Sequence, residues 1–159
     1  LQKNSGFVDV RGKPGLAAQI PEAAQSDSLR ALLIALAEPD APVFTVGCDL
    51  GTRQEITGAS VRYVAGGYVH IMSASFAGAS SDDYLAMAEA VSATVDAKSA
   101  GCLWELLYLN TPIDFRLGQH FGVVPSIQIW FDAKAGTPDA ALLSREALID
   151  ALCSALATR

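Results

Sequence analysis

Apolar positions along the chain alternate between two periods, one near 3.6 and one near 2, and the change from one to the other divides the chain into elements. Leu29, Leu32, Leu33 and Leu36 recur on one helical stripe. Ser26-Asp27-Ser28 offers capping side chains before that stripe and Pro39 stops it, so a helix is predicted there. Pro42 to Cys48 is rich in β-branched and aromatic residues and reads as a strand. Val61–Val64 and Tyr68–Met72 are two further strand-like runs. The Ala65-Gly66-Gly67 step between them fits either a hairpin turn or the lead into a central strand.

Ser80-Ser81-Asp82-Asp83 marks a second helix start, followed by Tyr84, Ala88, Val91 and Val95 on one face up to about Lys98. Cys102 to Leu109 is almost continuously apolar, the pattern of a central strand covered on both faces. Strand, helix and strand in that order predict a right-handed parallel crossover. Asn110-Thr111-Pro112 reads as a turn and Ile113 to His120 as a short helix. Ile127, Ile129 and Phe131 then alternate with Ser126, Gln128 and Trp130 in a half-buried strand. A last helix is expected from about Asp139 to Ala157, with Ile149, Leu152 and Leu156 inward. Residues 1–26, punctuated by Gly6, Gly12, Pro14, Gly15 and Pro21, read as an irregular arm with a short edge strand at Phe7–Val10.

These 159 residues suffice for one domain with a real core, organised as an arm and helix over 1–40 and an α/β domain over 41–159. A hydrophobic fraction of 51% with 18% charged residues argues against disorder. No apolar run approaches the roughly 18 residues that span a bilayer, so a soluble domain without a membrane span is expected. The net charge of −6 and the scattering of eleven basic residues argue against nucleic acid as a partner.

Cys48, Cys102 and Cys153 are too far apart for a dense disulfide framework or a short-spaced zinc site. Cys48, at a strand end beside glycines, is the best thiol candidate, although Asp49 works against its reactivity. His70 and His120 lack paired ligands nearby, so no metal is expected. Gly47-x-x-x-Gly51-Thr52 lacks the lysine of a phosphate loop, and no nucleophile elbow or Ser-His-Asp set stands out. No cofactor and no catalytic residue are assigned, and the sequence names no compartment.

From Tyr68 onward the order of elements, Leu107-Tyr108-Leu109-Asn110 at a strand end, and His120-Phe121-Gly122-Val123-Val124-Pro125-Ser126 before the next strand resemble the thioredoxin-like superfamily. The resemblance implies a three-layer α/β/α sandwich with a mixed central sheet, an N-terminal extension and a cis Val124–Pro125 bond. Where that family carries a Cys-x-x-Cys dithiol, this chain has Phe76 to Asp83, and no cysteine occurs from 49 through 101. Dithiol exchange needs two thiols, so redox catalysis is not expected.

What the resemblance implies instead is a redox-inactive protein-binding domain, an assembly chaperone or accessory subunit. Its extended peptide partner would meet Phe76, Ser80, Ser81, Val124, Pro125 and Trp130, with Tyr84 lining the same surface. Two alternatives stand beside it. One is an enzyme using a single cysteine, Cys48 or Cys102. The other follows from the order helix, strands, helix, strands, helix and the acidic charge, which resemble small type III secretion chaperones. Those act as homodimers on extended protein segments.

Overall fold

The fold is described from a computed structural model covering residues 8–75, 79–98, 101–117 and 120–157, with the side chains of 113–121 left aside. A short helix α1 (Pro14–Ala17) and a 3-10 turn (Pro21–Gln25) lead into α2 (Asp27–Leu36). Then follow β1 (Val43–Thr57), β2 (Ser60–Ser73), α3 (Ser81–Lys98), β3 (Cys102–Leu117), β4 (His120–Ala135) and α4 (Pro138–Leu156).

The three longer helices, α2, α3 and α4, begin where short polar side chains can satisfy the free N–H groups of a first turn. Ser26 Oγ accepts from Leu29 N at 2.9 Å, and Thr137 Oγ1 accepts from Ala140 N at 3.3 Å, with Pro138 in the first helical position. At α3 the exchange is reciprocal: Ser80 N donates to Asp83 Oδ2 at 2.8 Å, and Asp83 N donates to Ser80 Oγ at 3.3 Å. The predicted stripes are the buried ones, namely Leu29, Leu32, Leu33 and Leu36 on α2, Tyr84, Val91 and Val95 on α3, where Ala88 of the same stripe is half-buried, and Ile149, Leu152 and Leu156 on α4.

The four strands lie in the order β1-β2-β4-β3, and every neighbouring pair is antiparallel. This corrects the mixed sheet. β2 and β3 do run in the same direction with α3 between them, as a crossover requires, but β4 occupies the place between them. The physical cause is the segment after Leu109. Instead of a turn and a short helix, it continues β3 to Leu117, and β4 starts at His120. So short a connection returns the chain antiparallel beside the strand it has just left. Among the described residues β3 is accordingly an edge strand, not a central one.

Two other expectations change with it. Gly66 and Gly67 lie inside β2, and the β1–β2 turn is made at Gly58, where φ is +61°. Among the described residues no peptide bond is cis, so Val124–Pro125 is trans. Pro125 stands opposite Asn110 of β3, just beyond Ile127, the last β4 residue paired with β2. Its missing N–H therefore costs no hydrogen bond on the β2 side, and the strand accepts it without a special bond.

Alternation along the strands fixes two faces. Val69 and Ile71 of β2 and Ile127, Ile129 and Phe131 of β4 point to one side and are buried. There α4 packs across β2, β4 and β3, with α2 and α3 against its flanks. Among the described residues the helices thus form a single layer, giving two layers rather than three. Val10, Ala17 and Ala23 belong to the same core, so residues from the arm share the hydrophobic interior of the α/β part. Described residues 8–10 of the proposed edge strand are irregular. No described helix is long and apolar enough to cross a membrane.

Candidate functional site on the open face of the sheet

The face turned away from the helices carries Arg53, Tyr68, His70, Leu103, Glu105, Leu107, Trp130 and Asp132. At its centre Tyr68 and Trp130 are direct cross-strand partners, with ring centroids 4.8 Å apart and planes tilted by 39°. Aromatic pairs in such tilted contact gain about 0.5–1.5 kcal/mol beyond simple burial. Trp130 is nevertheless 41% exposed. On its other side Glu105 is its register partner in β3, with Leu103 and Leu107 to either side, 61% and 39% exposed. One groove runs between Trp130, Leu103, Glu105 and Asp132, and a second between Trp130, Tyr68, Asp49 and Arg53.

Two ion pairs that cross β2, linked by an Arg53–Glu55 contact of 3.1 Å, brace the next stretch. The Arg53 guanidinium grips Asp132 with two bonds of 2.6 and 3.1 Å, and Lys134 Nζ meets the Glu55 carboxylate at 2.8 and 3.1 Å. Both pairs reach from β1 to β4 across β2, which leaves Val64 of β2, opposite both Arg53 and Lys134, fully buried. Gly66 makes the first bridge possible: a Cβ there would stand 2.2 Å from Asp132 Oδ1 and 2.8 Å from Phe131 O.

Further along the face His70, Ser126 and Thr111 form a triangle across β2, β4 and β3. His70 Nε2 lies 2.7 Å from Ser126 Oγ, which lies 2.6 Å from Thr111 Oγ1. Burial pushes the His70 imidazole below its ordinary pKa, so it is neutral near pH 7. Ser126 is 0% exposed and cannot meet a substrate. The triangle therefore satisfies polar groups within the sheet rather than presenting a nucleophile. Beside it Phe44 and Met72 make a small second core with Val46 and Val124.

The described residues among those predicted from the peptide-groove resemblance do not assemble into one site. Phe76 lies outside the described residues. Ser80 caps α3 and Ser81 opens it, both exposed. Tyr84 is buried, and its hydroxyl donates to Pro125 O at 2.5 Å and accepts from Ser73 N at 3.0 Å. The start of α3 does therefore meet the Pro125 end of β4, but through a filled contact rather than an open groove. Val124 lies on the same open face as Trp130 but six residues, about 20 Å, along the strand from it, half-buried against Phe44 and Met72. Of the described residues of the set, Trp130 alone is a large apolar side chain exposed on that face. Its partner Tyr68 was missed as a site residue, because only the β2–β4 register sets the two rings together.

The cysteines are free and half-buried. Burial, with Glu22 and Asp49 adding like charge, pushes the Cys48 thiol up to about 12, and burial raises Cys102 and Cys153 as well. None is poised as a thiolate. Among the described residues no group of three His, Cys, Asp or Glu side chains could hold a metal ion. In comparison with known proteins, no family model, no curated protein and no solved structure matches this chain.

Proposed function

We propose that this chain is a non-catalytic protein-binding domain, an assembly chaperone or accessory subunit, that holds an extended segment of a partner protein on the open sheet face beside the edge of β3. The observation that carries this reading is Trp130, stacked on Tyr68 yet 41% exposed, with the leucines of β3 exposed around it. Large apolar side chains grouped on a solvent-facing sheet are a contact surface in search of a cover. β3 has a paired strand on one side only among the described residues, so its outer backbone groups can accept an added strand.

This reading keeps the binding role implied by the thioredoxin-like resemblance and moves it away from Val124–Pro125, whose trans bond leaves no cis-proline groove. The antiparallel sheet, the order of helices and hairpins, and the acidic charge make the small secretion chaperones the nearer analogy, one that rests on fold alone.

Selection from a displayed random-peptide library followed by amide-shift mapping tests the reading. Selected peptides are expected to shift β3, β4 and the Trp130 indole, and Trp130→Ala with Leu103→Ser is expected to abolish binding while the far-UV spectrum stays unchanged. Peptides that map to the helical layer, or that bind the double variant equally well, would overturn it. Sedimentation of the free protein separates monomer from homodimer.

A further inference from the structure

The chemistry of the segment that fits this face is written in β3. Leu103, Glu105 and Leu107 project to the open side at every second residue, in the order apolar, acidic, apolar. Glu105 is exposed and enters no ion pair among the described residues, whereas neighbouring Asp132 is already held by Arg53. The indole of Trp130 lies directly across from Glu105, and its flank away from Tyr68 borders the groove with Leu103 and Asp132. A carboxylate beside an exposed indole is a seat for a cationic side chain, held by charge on one side and by the ring quadrupole on the other.

We propose that the partner segment adds as a strand to the outer edge of β3 and presents apolar, basic, apolar residues at alternate positions, its Lys or Arg seated between Glu105 and Trp130. A cross-strand neighbour of Glu105 lies about 5 Å away, and a lysine or arginine stem reaches past it to the indole. A second copy of this chain fits less well. Antiparallel self-pairing that matches Leu103 with Leu107 of the other copy would set the two Glu105 carboxylates opposite each other, a like-charge pair that destabilises the match. A basic residue at that position relieves the conflict, and the chain's net charge of −6 favours approach of a cationic segment.

The inference rests on the protein-binding reading, and one titration separates the two. Three peptides, Thr-Leu-Thr-X-Thr-Leu-Thr with X as Lys, norleucine or Glu, are titrated into the isotope-labelled chain while the β3 amides and the Trp130 indole are followed. The Lys peptide is expected to bind about tenfold more tightly than the Glu peptide, with norleucine between them and the preference weakening in salt. Glu105→Lys, a change at an exposed position, is expected to invert the order. Equal binding of all three at β3 would overturn the basic-residue rule and leave the protein-binding reading standing. Absence of any shift at β3, or self-association through β3 that excludes the peptides, would overturn both.

Discussion

Ser26 Oγ donates to Glu146 Oε2 at 2.6 Å while accepting from Leu29 N, so one hydroxyl caps α2 and ties it to α4 across 120 residues of sequence. Ser28 N adds a second bond to the same carboxylate oxygen, and Arg145, 3% exposed, holds the other oxygen and the carbonyl of Gln25. Burial pushes the Glu146 carboxyl up, but Ser26, Ser28 and Arg145 together outweigh it and hold the group below its ordinary value of 4.5. A carboxyl depressed in the folded state contributes stability above its unfolded pKa and loses it as pH falls through the folded one. Denaturant titrations from pH 7 down to 3 are expected to show that loss, and Glu146→Gln to flatten it. Ser26→Ala removes the cap as well and is expected to cost about 1–2 kcal/mol at neutral pH.

Tyr84→Phe isolates the link between the start of α3 and the sheet. The hydroxyl donates to Pro125 O and accepts from Ser73 N, so its removal leaves one buried and one half-buried backbone group without that partner. A loss of about 1–3 kcal/mol is expected by chemical denaturation, with the aromatic packing on Tyr108 retained. A change within about 0.3 kcal/mol would mean that water replaces the hydroxyl.

Gly66→Ala tests the bridge over β2. An added methyl would collide with Asp132 and with the Phe131 carbonyl, so the Arg53–Asp132 pair must open and the β2–β4 ladder must shift. A drop of about 1–3 kcal/mol is expected. Gly51→Ala is the control, because nothing stands within 4 Å of a Cβ there, and its melting temperature is expected to stay near that of the parent.

Iodoacetamide at pH 7 should label all three cysteines of the folded protein more slowly than a free thiol, Cys48 included, and should label them readily in denaturant. A single thiol that reacts faster than free cysteine in the native state would revive the single-cysteine enzyme.

Local signals determined much of the molecule. The Leu29–Leu36 stripe, the Ser80–Asp83 start and the Ile127–Phe131 alternation each depend on residues a few positions apart, and each produced the element it predicted. The sheet's order did not follow from them, because an apolar run such as Cys102–Leu109 looks the same in a central strand and in an edge strand whose inner face meets helices. The Val124-Pro125 passage pointed to a family geometry, but a proline's isomer and its place in the ladder depend on which strand lies beside it. Likewise Trp130 was visible as an outward residue of an alternating strand. Only the β2–β4 and β3–β4 registers set Tyr68 on one side of it and Glu105 on the other, since a one-residue slip in either would turn those side chains to the opposite face. Short-range chemistry thus determined the helices and most strand faces, and long-range pairing decided which of those faces stayed open and what stands on it.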